Sequence, residues 1–184
     1  MVTGLPLLQW FINHLLSFVK LTDSFFVKKG DLGLLFELLN LKMAKTDFLF
    51  THSLRVRWSE IDQQAIVFNS HYLTYCDIGF TEYWRNSPLP SFIQMSGSGY
   101  EFFVKKANLE YHQSAKFDDE LDICVRCSRV GNSSMQITTE IYLQDELLIN
   151  AELTYVYANT ATKKSSPIPL EWRAFLHSEV KLKE

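Results

Sequence analysis

VRWSEIDQQAIVFNSHYLTYCDIGFTEYWR, residues 56–85, holds two periodicities joined by a stretch with neither. With the two residues before it, the opening alternates Leu54, Val56 and Trp58 against Arg55 and Arg57, the pattern of a half-buried strand. The second half repeats at three- and four-residue steps. Tyr72, Cys76, Gly79, Phe80 and Tyr83 then share one face of a predicted helix. Asn69 or Ser70 stands where a cap for its first turn belongs, and Pro88 lies beyond its end. Between the two halves, SEIDQQAIVFN has no clear period.

Working outward, SPLPSFIQMSGSG at 87–99 carries prolines and glycines and reads as a loop. Strand patterns follow in quick succession. Ala107, Leu109 and Tyr111 alternate, then Leu121 to Cys127, then Met135, Ile137, Thr139, Ile141 and Leu143. Ile149, Ala151, Leu153, Tyr155 and Tyr157 form the last run. The links at 131–133 and 144–146 are short enough for hairpins. LEWRAFLHSEV, after Pro167 and Pro169, is expected to form a closing helix. Strand, helix, then four strands joined mainly by tight turns is an α+β layout, an antiparallel sheet with one long helix against it.

The composition suits that layout. The chain has 184 residues, 47% hydrophobic and 21% charged, an ordinary globular balance for one domain with an appendage. Aromatics reach 14%, enough for a large core or an aromatic-lined cavity. A net charge of -3 argues against nonspecific nucleic-acid binding, which needs clustered Lys and Arg. It leaves room for a ligand with phosphates. The three cysteines, Cys76, Cys124 and Cys127, are odd in number, and a chain this long needs no disulfide staples, so a reduced, cytoplasmic setting is expected. Cys124 and Cys127 spell CxxC inside an alternating strand, where residues three apart face opposite ways, so they are not expected to share a metal or a disulfide.

Residues 1–42 differ from the rest. LPLLQWFINHLLSFV and LGLLFELLNL are too short and interrupted to span a bilayer, for which ~20 apolar residues are needed. Nor do they look like a secretory signal. Leu8, Phe11, Leu15 and Val19 recur at helical spacing, so one reading is an amphipathic helix for packing, membrane-surface or oligomer contact. The other takes Met43 as the physiological start, with the domain proper running over 43–184. Both stand on the sequence alone.

The chemistry is expected in the aperiodic link. An Asp there is commonly a turn residue. Asp62, however, lies seven residues before Asn69 in a run short of charge. A carboxylate among apolar groups beside a helix start suits a base or nucleophile, and the free N–H groups of that first turn suit an oxyanion.

With these residues in view, the 56–85 run resembles the signature of hot-dog-fold acyl-CoA thioesterases of the 4-hydroxybenzoyl-CoA thioesterase-like type. The resemblance extends from about Leu54 to Tyr157 and takes in EYHQSAKFDDEL and RVGNSSM. It implies an antiparallel sheet wrapped around one central helix, hydrolysis of an acyl-CoA (or an acyl carrier protein thioester) to a free acid, and no cofactor or metal. It also implies a homodimer or homotetramer, with sheets joined edge to edge and each site completed by the partner. Asp62 matches the family's catalytic carboxylate, acting directly or through water, and the Asn69 N–H matches the amide that binds the carbonyl oxygen. Val67, Phe68 and Tyr72 match acyl-pocket positions, and His71 is a further candidate for substrate contact. Gly131, Asn132, Ser133 and Ser134 fall where the family's hairpin meets CoA, with Arg129 and Arg126 matched by charge alone.

Three positions depart from the family pattern. Ala65 replaces its usual Gly, at little cost if φ there is negative. Asn69 stands where one branch has His, and His71 where many members have Asn. Two other functions compete: a hydratase or dehydratase of the same fold, for which no Asn-Pro-His run is found, and a non-catalytic acyl-CoA-binding protein. Glu82 and Arg85 read as ion-pair partners. The GSG at 97–99 lacks the Lys and Ser/Thr of a phosphate loop, no GxSxG elbow is present, and His and Cys are not spaced for zinc.

Overall fold

A computed structural model of the chain describes Lys45 and residues 48–181, the side chains of 179–181 excepted. Both readings of residues 1–42, and the start at Met43, lie outside the described residues. The elements run β1 Phe50–Arg55, a 3-10 turn Trp58–Glu60, α1 Asn69–Arg85, α2 Phe92–Gly97, β2 Tyr100–Tyr111, β3 Glu120–Val130, β4 Ser134–Leu143, β5 Glu146–Asn159 and α3 Leu170–Lys181. The five strands form one antiparallel sheet in the order β1-β3-β4-β5-β2.

Alternation along the strands sends one set of side chains to the helices. Leu121, Ile123, Val125 and Cys127 of β3 join Met135, Ile137 and Ile141 of β4 and Ile149, Ala151, Leu153, Tyr155 and Tyr157 of β5 in one core. The face of α1 presents Tyr72, Tyr75, Cys76, Gly79, Phe80, Tyr83 and Trp84, all buried, to that core. Trp84 meets Trp172 of α3 edge-on, at 6.2 Å between ring centroids. Cys124 instead joins Phe48 and Tyr142 in a separate cluster. The two thiols of the CxxC therefore lie on opposite faces of the sheet, and all three cysteines are buried, none of them in a disulfide.

Three expectations are corrected. The first strand lies upstream of its expected place: its inward face runs Phe50, His52, Leu54, while Trp58 is 74% exposed. The chain leaves the sheet after Arg55. Val56 is held by two backbone bonds to the segment before β3: its N–H donates to the Asp119 carbonyl at 2.9 Å, and its carbonyl accepts from the Asp118 N–H at 3.2 Å. The 3-10 turn then directs the backbone toward α1. Second, the expected loop 87–99 contains α2, whose start is a reciprocal capping box. The Ser91 hydroxyl accepts from the Gln94 N–H at 3.3 Å, and the Gln94 side-chain oxygen accepts from the Ser91 N–H at 2.9 Å. Third, β2 begins at Tyr100, right after Gly99 with φ 81°, and runs 12 residues along an open sheet edge. Its alternation is weak because most of its residues from Val104 to Tyr111 are exposed.

Candidate active site

A stack of short-range bonds shapes the link between the 3-10 turn and α1. The Asp62 N–H donates to the Ile66 carbonyl at 2.9 Å, and the Ala65 N–H donates to the Asp62 carbonyl at 3.0 Å. One Asp62 carboxylate oxygen, Oδ1, accepts from the Gln64 N–H at 2.7 Å. So Asp62 does close a turn, as its residue type commonly does. Its other oxygen, Oδ2, meets no hydrogen-bond donor among the described residues. Ala65, which would cost little in place of Gly only at negative φ, adopts φ 60°. It sits at the tip of this tight turn, in a conformation where a Cβ is strained and glycine is favoured.

The loop is clamped at both ends. Ile61 and Val67 form an antiparallel bridge, the Phe68 N–H donates to the Glu60 carbonyl at 2.9 Å, and the Val67 N–H donates to the Ala115 carbonyl at 2.9 Å. Glu60 anchors the clamp from below. Its side chain is buried, 6% exposed, and Oε2 accepts from the Arg57 N–H at 2.7 Å and the Tyr75 hydroxyl at 2.8 Å. Burial, with that bond to Glu60 second, pushes the Tyr75 hydroxyl far above its usual range, so Tyr75 stays a donor. The sequence marked Glu60 only as a neighbour of Asp62. It stands among Arg57, Ser59, Asp62 and Gln63, so no apolar run set it apart.

The expected caps are also corrected. Asn69 and Ser70 lie inside the first turn of α1, and Phe68 is the N-cap residue, with no side-chain cap. Phe68 takes that place because its own N–H and its neighbour's are committed to Glu60 and Ala115. In consequence neither the Asn69 nor the Ser70 N–H meets an acceptor among the described residues. Two free amides at a helix start form a ready site for negative charge.

Asp62, Val67, Phe68, Asn69 and Tyr72 line one open groove of about 550 Å³. Tyr111 and Ser114 complete it from the end of β2 and the segment after it. The sequence marked Tyr111 only as a strand residue and Ser114 only as part of EYHQSAKFDDEL, and gave neither a role in the site. The Tyr111 hydroxyl donates to the Asn69 carbonyl at 3.3 Å, and the Tyr72 hydroxyl accepts from the Ala115 N–H at 2.8 Å. Tyr72 meets Tyr111 edge-on at 5.8 Å, so the wall is aromatic and tied to the helix start. Burial raises the Tyr72 pKa, against the lowering effect of the Ala115 bond.

Other candidates lie elsewhere. His71 is half-buried against Phe68, ring centroids 6.3 Å apart, and does not line the groove. The hairpin of Gly131, Asn132, Ser133 and Ser134, with Arg129 before it, sits at the far end of β3 from Glu120. Eleven strand residues span about 35 Å. There the hairpin is tied to the C-terminal segment: the Asn132 side chain accepts from Arg173 at 3.1 Å and its carbonyl from the Ile168 N–H at 2.8 Å. Within one chain it does not meet the Asp62 groove. Arg126 lies over the Phe48 ring at 5.4 Å, on the sheet face away from α1. Glu82 and Arg85 pair with each other.

Two further cavities share no lining residue with the groove. One, of about 520 Å³, lies between α1, α2 and β2 against Phe80, Phe92 and Phe102. The other, of about 510 Å³, follows the open edge of β1. Among the described residues no three His, Cys, Asp or Glu side chains cluster as a metal site, and no helix is long and apolar enough to cross a membrane.

The chain is similar to known thioesterases. Residues 64–150 match the model of the thioesterase superfamily, a match that begins just after Asp62. The acyl-CoA thioester hydrolase YbgC of Escherichia coli O6:H1 is 25% identical over 122 residues, covering 66% of this chain and 90% of that protein. The acyl-CoA thioesterase YbgC of Haemophilus influenzae is 23% identical over 128 residues, 70% of this chain and 94% of its own. Among solved structures, a 1,4-dihydroxy-2-naphthoyl-CoA thioesterase from Synechocystis superposes with TM-score 0.65 at 18% identity, covering 70% of this chain and 95% of that one. The probable thioesterase YbaW of Escherichia coli gives TM-score 0.62 at 24% identity, covering 71% and 98%. The fold is the hot-dog fold, a five-stranded antiparallel sheet with a long helix across it.

Proposed function

From the match to the thioesterase superfamily model and the likeness to the acyl-CoA thioester hydrolase YbgC, we propose that the chain is a member of that superfamily and hydrolyses an acyl-CoA to the free acid and CoA with Asp62 as the reacting carboxylate. One observation carries the reading. Asp62, which has one carboxylate oxygen without a donor, and Asn69, whose N–H is unpaired, line the same groove, at the start of a helix whose dipole favours negative charge there.

The thioester carbonyl lies in the groove with its oxygen toward the Asn69 amide. As the carbon becomes tetrahedral, negative charge grows on that oxygen, and a preorganised N–H stabilises it more than it stabilised the ground state. Asp62 either adds to the carbon itself, giving an anhydride that water then opens, or takes a proton from an attacking water. In both routes the C–S bond breaks and CoA leaves as the thiol. Val67, Phe68 and Tyr72 line the side of the groove that takes the acyl group.

The test is a thiol-release assay over a panel of acyl-CoA thioesters. All three protein thiols are buried, and burial pushes Cys76 up to about 12, so background reaction with a thiol reagent at neutral pH is expected to be negligible. Asp62→Asn keeps the Gln64 bond but removes the charge. It is expected to lower kcat by about a hundred- to ten-thousand-fold with acyl-CoA binding retained. Near-wild-type turnover in that variant would refute the assignment.

A further inference from the structure

The cavity along β1 has no part in the reaction just described. It is lined by His52, Arg55, Arg57 and Phe117, with Asp118 as its acidic member. That is a local basic excess on a chain whose net charge is -3. Arg55 is already committed: it donates to Glu120 at 2.7 Å and to the Asp118 carbonyl at 2.9 Å. Arg57 is not. Its side chain is two-thirds exposed, and its ion-pair partner among the described residues, Glu60, stands 3.7 Å away, beyond hydrogen-bond distance.

Beside Arg57 stands the most exposed aromatic pair of the domain. Trp58 is 74% exposed and Phe117 50% exposed, and their rings meet edge-on at 5.2 Å. Exposed aromatic surface rimmed by cations is unusual unless something covers it. Its position is also specific. Trp58 lies four residues before Asp62, so the chain between them spans at most about 14 Å. Phe117 lies three residues after Ser114, which lines the reactive groove, a span of at most about 11 Å. Phe117 itself lines the β1 cavity, and both residues lie within a short chain reach of the reactive groove.

We propose that this β1 groove and its Trp58–Phe117 corner hold the phosphorylated nucleotide end of CoA. The adenine stacks on the exposed indole, Arg57 meets the phosphates, and the pantetheine arm passes the corner to reach Asp62. The inference rests on the acyl-CoA reading above and adds where its substrate is recognised. The exposed indole offers a stacking face, and the exposed guanidinium beside it offers the planar donor pair that phosphate binds. A partner that docked by apolar contact alone would have no use for Arg57 and His52.

Calorimetric titration of the protein with CoA, with the nucleotide fragment of CoA and with pantetheine tests this. CoA and its nucleotide fragment are expected to bind, and pantetheine alone to bind at least tenfold more weakly. Trp58→Ala and Arg57→Gln are each expected to weaken both nucleotide ligands by about tenfold, while Arg129→Gln does not. Trp58→Ala is expected to raise the KM for acyl-CoA by a similar factor with kcat little changed. If Arg129→Gln carries the loss instead, or if the nucleotide fragment fails to bind the wild-type chain, the proposal is overturned. Calorimetry needs no turnover, so an inactive protein that still binds nucleotide through Trp58 would sink the hydrolase reading and leave this one standing.

Discussion

Individual residues divide here into those that react and those that hold the reacting groups still. Glu60 is the clearest of the second kind. Its carboxylate joins the 3-10 turn to the second turn of α1, and its carbonyl holds the N-cap residue that precedes the Asn69 amide. Removing it leaves the Tyr75 hydroxyl and the Arg57 N–H unpaired under the loop, and an unsatisfied buried donor costs about 1–3 kcal/mol. Glu60→Ala is therefore expected to lower kcat more than it raises KM, while Glu60→Gln, which keeps an acceptor, recovers most of the rate. Equal rates in the two variants would show that the acceptor does not matter. Ala65 makes the opposite kind of test. A left-handed conformation costs a residue with a Cβ roughly 1–2 kcal/mol, and glycine's extra chain entropy returns about 0.5–1 of that. Ala65→Gly is thus expected to raise stability by up to about 1 kcal/mol, measured as a shift in the denaturation midpoint. Neither residue's part was legible from the sequence. Glu60 depends on Tyr75, fifteen positions away, and the sign of a φ angle is not written in the residue that adopts it.

At the level of elements, side-chain periodicity carried most of the prediction. The helix through Tyr72, Cys76, Gly79, Phe80 and Tyr83 and the strands β3 to β5 show one buried face each, and period alone locates such faces. Where burial is weak the pattern fails, as in β2 along the open edge, and where a local motif overrides composition it misleads, as in α2 with its Ser91–Gln94 box. Gly79 shows what the helix pattern concealed. It occupies an apolar position, yet a Cβ there would come within 2.5 Å of Ile123 Cγ2 and 3.0 Å of Val125 Cγ2. Both are short, β-branched side chains on the central part of β3, with little freedom to give way. Ala is the better helix former by about 1 kcal/mol, but overpacking costs typically 1–3 kcal/mol. Gly79→Ala is expected to be net destabilising, and a pair with Ile123→Val to recover part of the loss. A gain in stability from Gly79→Ala alone would mean that α1 and β3 are not in such close contact.

For the molecule as a whole, the open edge of the sheet at β2 sets the next question. Among the described residues, the twelve from Tyr100 to Tyr111 pair with β5 on one side only, and Val104 and Tyr111 are each more than half exposed. A long edge strand with exposed apolar groups invites pairing with another copy, and natural proteins that stay monomeric usually blunt such an edge. Tyr111 gives the pairing a functional meaning, because the same strand that offers the edge also supplies the wall of the Asp62 groove. We therefore expect two chains to associate through antiparallel β2 edges, which would extend the sheet from five strands to ten. Val104→Lys sets a third cation beside Lys105 and Lys106, and the two-fold axis of an antiparallel pair brings both sets close. Sedimentation should give a dimer for the wild-type chain and a shift toward monomer for Val104→Lys, with kcat/KM falling as the dimer dissociates. A dimer that survives Val104→Lys undiminished, or a monomer that turns over at the full rate, would place the association elsewhere and make each groove complete in its own chain.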